Sequence, residues 1–202
     1  CRIENIFLDQ YWNTGNLNID KDLFLPVLRM DMFVLYPLGE KDEHDRSPYI
    51  FAKEYDRKIS NFDDYLNLLD YTVILHKRSK SPCIKIAIAY NRSLFFNDVS
   101  EKEARKIFKK PLKTIKQEDK TKLQDFLLHH IIKLSVKHKM PVQIHTGIQA
   151  GLGNTLENSD PAKHNNLFLK YSDARFDMFH TGYPYYSKAI VLCKYFKNVY
   201  FN

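Results

Sequence analysis

Short apolar runs rich in β-branched and aromatic residues alternate along this chain with segments of helical periodicity. The runs predict six strands, at residues 3–9, 27–35, 83–90, 142–146, 175–180 and 198–201. Strands separated by helices favour a parallel sheet, because parallel neighbours need long crossover connections and a helix supplies one. The pattern therefore predicts an α/β fold. Periodicity alone leaves open whether the sheet is doubly wound or closed into a barrel.

The helices are predicted from their periodicity and their start signals. Residues 117–139 place apolar side chains on one face at three- and four-residue spacing, which is typical of a helix that covers a sheet. Ser100 and Glu103 form a capping-box pattern, and Asp160 followed by Pro161 predicts a helix that runs through Leu169. Two further helices are predicted at residues 62–75 and 185–196.

Length and composition indicate one globular domain over residues 1–202. The 44% hydrophobic content is enough for one sizeable core. No apolar run approaches the roughly 18 to 20 residues of a membrane span, and the first residues do not resemble a signal peptide. A soluble, cytoplasmic protein without a membrane partner is expected. The cysteines Cys1, Cys83 and Cys193 are scattered, with no C-x-x-C pair, so reduced thiols are expected.

The formal net charge of +7 comes from lysines spread over the whole chain. A nucleic-acid groove would concentrate lysine and arginine on one element and interleave them with aromatic residues. The spread therefore disfavours a nucleic-acid partner and leaves a small-molecule ligand as the expectation.

Two predicted strands end in the same three residues, His-Thr-Gly. His145 closes VQIHTG and His180 closes FDMFHTG, so both histidines lie where a parallel α/β protein binds its ligand. Each glycine allows the chain to turn away at once. A single histidine in such a place is most often a core residue. Two on successive strands are harder to explain as core residues, and neutral histidines on adjacent strands can converge on one metal ion, since imidazole is the commonest nitrogen ligand for zinc and similar ions.

Three cations could contact a substrate. Lys85 shares a strand face with Ala87 and Ala89, which predicts that it points into the sheet interior, where it would need an anion, a metal-bound group or a modified form. The alternative is an edge strand with Lys85 in water. Arg29 and Arg92 could each hold a substrate carboxylate, although surface ion pairing explains either nearly as well.

Several segments together resemble a known family. IKIAIAYNRSL, PVQIHTG, NSDPAKHNNLFLKY, FDMFHTGYPY and KNVYFN, in this order and spacing, look like the amidohydrolase superfamily, in particular its amidohydrolase-2 branch. Domains near that branch are found attached to glutamine-synthetase-like enzymes. The resemblance implies a (β/α)8 TIM barrel with a divalent metal at the carboxyl ends of its strands. Residues 3–9 would be its second strand and residues 198–201 its seventh.

The resemblance also implies site residues. His145 would be a metal ligand, and His180 a second ligand or the group that orients the attacking water. Lys85 lies on the fourth strand, where some members of the superfamily carry a carboxylated lysine. The H-x-H pair of the family's first strand and the aspartate of its eighth are absent from this sequence. An incomplete barrel containing strands two to seven is therefore expected, with those two strands beyond the ends and little metal binding by the fragment alone.

The function predicted is that of a metal-dependent hydrolase. A divalent ion, zinc first with manganese or iron as alternatives, would activate water to attack a C–N or C–O carbonyl bond, or would support a related decarboxylation. His180 and Lys85 are the predicted catalytic residues. The alternative is a non-catalytic barrel that serves as a binding or assembly module, for example beside a glutamine-synthetase-like enzyme. A homo-oligomer is left open.

Overall fold

A computed structural model of the protein describes residues 2–202, so Cys1 lies outside the described residues. The strands are β1 Ile6–Leu8, β2 Phe24–Pro26, β3 Leu28–Arg29, β4 Ile84–Ile86, β5 Val142–His145, β6 Phe176–Phe179 and β7 Val199–Phe201. The α-helices are α1 Asp31–Leu35, α2 Pro48–Glu54, α3 Phe62–Arg78, α4 Glu101–Phe108, α5 Gln117–His138, α6 Asn165–Lys170 and α7 Tyr186–Tyr195. Strands and helices alternate, which confirms the α/β class.

The order of the strands answers the question that periodicity left open. Strands β3 to β7 lie side by side in chain order, and every neighbouring pair is parallel. Strand β1 pairs in parallel with β2, and only Val27 separates β2 from β3. The Val27 N–H donates to the Leu8 carbonyl at 2.9 Å, so the pairing with β1 extends to the residue next to β3. A doubly wound sheet reverses its strand order at a switch point, and these strands do not, so the order is that of a barrel wall.

The two faces of the sheet differ in chemistry. The face under the helices is apolar, and Ile84, Ile86, Val142, Ile144, Phe176 and Met178 are buried there. Between them the strands turn polar side chains to the other face, at one level of the register: Arg29 pairs with Lys85, Lys85 with Gln143, and Gln143 with Asp177. Apolar packing against the helices holds the strands in place, and the inner face is free to carry chemistry.

Several elements differ from the prediction. Residues 27–35 were predicted as one strand, but the strand ends at Arg29 and helix α1 follows. The Asp31 carboxylate accepts the Ala87 N–H at 2.7 Å, which joins the start of α1 to the segment after β4. The predicted strand 83–90 likewise ends at Ile86 and continues as a 3-10 turn over Ile88–Tyr90. Strand β2 and helix α2 were not predicted. Residues 39–47 form an irregular segment rich in charged residues, without helix or strand.

The predicted helix starts are present. The Ser100 hydroxyl accepts the Glu103 N–H at 3.2 Å, and the Asp160 carboxylate accepts the Ala162 N–H at 3.0 Å. The helix predicted after Asp160 is divided into a 3-10 turn over Pro161–His164 and then α6. Among residues 2–202, none of the helices has the length and apolar character needed to cross a bilayer. Cys83 and Cys193 are free thiols.

Candidate functional site

The two His-Thr-Gly sequences bring their histidines together. His145 is the last residue of β5 and pairs in register with Phe179, the residue before His180. The two imidazole rings lie 4.6 Å apart between centroids and nearly at right angles. Neighbouring parallel strands end at the same edge of a sheet, and here that edge places two imidazoles side by side.

The threonines and glycines of the repeated sequence explain the geometry. The Thr146 hydroxyl donates to the Phe179 carbonyl at 2.9 Å, and the Thr181 hydroxyl donates to the Asn202 carbonyl at 3.1 Å. Each threonine therefore ties the end of its own strand to the end of the next. Gly147 has a φ of +70°, and a Cβ there would lie 2.1 Å from the Tyr183 carbonyl oxygen. The two turns approach so closely that only glycine fits.

Replacing Gly147 with alanine is expected to lower the free energy of unfolding by roughly 2 to 5 kcal/mol, because left-handed strain adds to a backbone clash. Gly151→Ala is the matched control, since Gly151 also has a positive φ of +85° but has nothing within 4 Å of a built Cβ. It should lose only about 1 to 2 kcal/mol. Urea unfolding measures both values. Equal losses in the two variants would contradict the close approach of the two turns.

His145 is a neutral imidazole of one tautomer. Its side chain is buried, and burial lowers its pKa to about 4, more than the Ile148 carbonyl raises it. Nε2 lies 2.8 Å from the Ile148 carbonyl oxygen, which can only accept a hydrogen bond. Nε2 must therefore carry the hydrogen, and the lone pair is on Nδ1. His180 is half-buried, and burial followed by the charge of Lys85 lowers its pKa. Both rings are in the neutral form that binds metals.

Lys85 points into the sheet interior, as predicted. It is 3% exposed, so the alternative of an edge lysine in water is excluded. Its ammonium donates to Gln143 Oε1 at 2.8 Å and lies 3.3 Å from the centroid of the Phe179 ring. Gln143 in turn donates to Asp177 at 2.7 Å. Burial lowers the pKa of Lys85 to about 8, although Asp9 raises it.

The two arginines that were predicted to bind substrate lie in different places. Arg29 lines the cavity described below, and its guanidinium donates to Asp31 at 2.7 Å and to Asp9 at 3.1 Å. Burial raises the pKa of Asp9. Arg92 does not line that cavity. It lies outside the barrel wall, where its guanidinium donates to the fully buried Asp125 at 2.6 Å. These contacts hold the Arg92 side chain against α5, away from the cavity.

A cavity of about 420 Å³ lies at the carboxyl ends of the strands. Its polar lining includes Asp9, Arg29, Asp31, Lys85, Tyr90, His145 and, from the loop after α1, His44. Asp9 and Tyr90 close predicted strands, so the rule that identified the histidines could have identified them as well. Asp31 was hidden inside a run read as one long strand. His44 was not among the predicted site residues, because nothing local in the sequence brings residues 39–47 to the cavity.

The residues present supply only part of a metal site. Among residues 2–202, no group of three or more histidine, cysteine, aspartate or glutamate side chains is placed to hold a metal ion. Catalytic zinc sites use three protein ligands and keep a further position for water or substrate. His145 and His180 supply two imidazoles, one ligand fewer than such a site uses. By themselves these residues do not hold a metal.

The chain-ordered parallel strands with helical crossovers, and a cavity at their carboxyl ends, define a TIM-barrel-like α/β fold that solved structures share. A proposed metal-dependent hydrolase from Lactobacillus casei superposes with a TM-score of 0.70 at 19% identity, over 98% of this chain and 50% of that chain. Glucuronate isomerase from Caulobacter crescentus gives 0.73 at 13% identity, over 98% and 46%. Uronate isomerase from Thermotoga maritima gives 0.70 at 14%, over 98% and 48%.

At the level of sequence, the chain is 29% identical over 129 residues to Protein fluG of Emericella nidulans. That match covers 57% of this chain and 15% of fluG. No family model matches the chain. The chain spans about half the length of the solved structures it resembles and a small part of fluG. These likenesses support an α/β fold with parallel strands of the TIM-barrel kind.

Proposed function

We propose that this chain is the central part of a metal-dependent enzyme of the amidohydrolase type. The reaction would be hydrolysis of a C–N or C–O bond at a carbonyl group, or a related decarboxylation, on a small molecule. One observation carries the proposal: the neutral imidazoles of His145 and His180 lie 4.6 Å apart at the ends of neighbouring strands, and His145 lines a cavity of about 420 Å³. A cavity of this size suits a small-molecule ligand.

The proposed ligands of the divalent ion, zinc first with manganese or iron as alternatives, are His145 and His180. The remaining ligands would come from outside residues 2–202, in the places where the resemblance predicts an H-x-H pair and an aspartate. The half-length match to the solved structures supports this reading.

The other polar groups have proposed roles toward the substrate. Lys85 contributes a positive charge on the inner face of the sheet that no carboxylate contacts directly among the described residues. Arg29 is held in one orientation by Asp9 and Asp31, so it can present its remaining donors to a substrate without rearranging. Lys85 and His180 are the two proposed catalytic residues. The His180 ring follows the next strand and lies beside that of His145.

Metal titration of the full-length protein tests the proposal. His145→Ala and His180→Ala are each expected to lower zinc affinity by more than the 10- to 100-fold that is roughly typical of losing a residue that only orients a ligand. His129→Ala is the matched control, because His129 is as buried as His145 but lies on α5 against Tyr171. It should keep the wild-type affinity. Equal affinity in all four proteins would rule out both ligand assignments, and no binding by the wild type would favour the non-catalytic barrel.

A further inference from the structure

A closed set of contacts joins Tyr90, His145 and the loop at residues 147–154. The Ala150 N–H donates to the Tyr90 hydroxyl at 3.1 Å. Two residues earlier, the Ile148 carbonyl accepts the hydrogen of His145 Nε2 at 2.8 Å. The Tyr90 hydroxyl itself lies 3.4 Å from Nε2, and the two rings are 5.0 Å apart between centroids. Tyr90 therefore contacts the same loop that holds His145.

Beyond Gly147 few hydrogen bonds hold this loop, although the Gln149 side-chain amide is buried without a partner in the described part of the chain. The side chain of Leu152 is fully exposed, that of Ile148 is half exposed, and a Cβ on Gly151 or Gly153 would meet nothing within 4 Å. Asn154 donates only within the loop, to the carbonyls of Ala150 and Gly151. In the described part of the chain, residues 148–154 reach the barrel through two hydrogen bonds, one to His145 and one to Tyr90. Only the bond to Tyr90 is independent of His145, so the Tyr90 hydroxyl helps to fix the loop in which the Ile148 carbonyl lies.

We propose that Tyr90 is a positioning residue for His145: by fixing the loop backbone at Ala150, it holds the Ile148 carbonyl against Nε2 and so keeps the ligand lone pair on Nδ1. A neutral imidazole that loses its acceptor at Nε2 exchanges between its two tautomers and turns more freely. Groups that fix the tautomer and orientation of a ligand histidine typically change metal affinity by about 10- to 100-fold. The consequence for metal binding rests on the proposed function. The consequence for the tautomer does not.

Tyr90→Phe removes the hydroxyl alone and leaves the ring in place. We expect ¹⁵N NMR of the metal-free wild type to show His145 with a protonated Nε2 and an unprotonated Nδ1. In Tyr90→Phe the two nitrogen shifts should move toward each other, as the second tautomer becomes populated. Zinc affinity of the full-length protein, measured by competition with a chelating dye, should fall by roughly tenfold or more.

Tyr171→Phe is the matched control. The Tyr171 hydroxyl lies 2.8 Å from Nδ1 of His129, so the same chemical change acts on a different histidine. That variant should alter the His129 signals and leave both the His145 signals and zinc affinity as in the wild type. Unchanged His145 shifts in Tyr90→Phe would overturn the positioning role, even if zinc binds. Shifted His145 signals in a protein that binds no zinc would support positioning and overturn the metal-site proposal.

Discussion

Replacing Asp125 with alanine is expected to lower the free energy of unfolding by about 3 to 5 kcal/mol, because it leaves the largely buried guanidinium of Arg92 without its counter-ion. The Asp125 side chain is fully buried on α5. It accepts from Arg92 at 2.6 Å and from the Asn97 backbone N–H at 3.1 Å. Both donors belong to the segment that follows β4, which also contains Tyr90. Urea unfolding of the variant measures the loss.

A surface carboxylate provides the control. Asp63 pairs with Arg105, but its side chain is 64% exposed, so Asp63→Ala should change stability far less than Asp125→Ala. A double variant, Arg92→Met with Asp125→Leu, should recover part of the loss, since it removes the unpaired charge together with its partner. If Asp125→Ala were as mild as Asp63→Ala, the buried pair of Arg92 and Asp125 would not stabilise the fold as expected.

The parts of the site that the sequence predicted depend on local rules. His145 and His180 were found because a strand pattern ends in a histidine and a glycine follows, and parallel strands bring their carboxyl ends to one edge. Lys85 was placed inside because its strand neighbours alternate strictly in size. Each of these inferences needs only a few residues of sequence and the period of the strand.

The parts that were missed depend on contacts between distant segments. Arg92 looks like a site residue in the sequence, but its partner Asp125 lies 33 positions away on α5. His44 reaches the cavity because of how residues 39–47 fold over the strand ends. His76 and His164 lie near helix ends, yet they are 1% and 0% exposed. The local sequence pattern shows whether a residue is polar. It does not show which distant segments of the chain pack against that residue.

The polar layer on the inner face connects these observations. Arg29, Lys85, Gln143 and Asp177 lie at one level of the register on successive strands, and hydrogen bonds join Lys85 to Gln143 and Gln143 to Asp177. Such a layer is not needed for stability, since apolar residues of similar volume would pack there at lower desolvation cost. Its presence directly below the two histidines favours a site that binds something polar. Burial also removes water from two histidines outside the site, His76 and His164, and this makes the stability of the protein depend on pH.

The protein is expected to lose stability steeply as the pH falls below about 6.5. Burial lowers the pKa of His76 to about 4 and that of His164 to about 3, from an ordinary value of 6.5. Neither ring has a hydrogen-bond partner in the described part of the chain. In the unfolded chain both rings take up a proton once the pH drops below 6.5, whereas in the folded protein they stay neutral until it nears 4. Protons therefore favour the unfolded state throughout that window.

The size of the effect follows from the width of the window. At about pH 5 each histidine contributes a loss of roughly 2 kcal/mol relative to pH 7.5, so the pair contributes about 4 kcal/mol. Unfolding in urea at a series of pH values measures it. His76→Leu should make the decline shallower by roughly 2 kcal/mol over the same range. Leu69→Ala, an uncharged change at a buried position on the same helix, should lower the whole curve without changing its slope. A decline of equal steepness in wild type and His76→Leu would show that His76 is protonated equally in the folded and unfolded states.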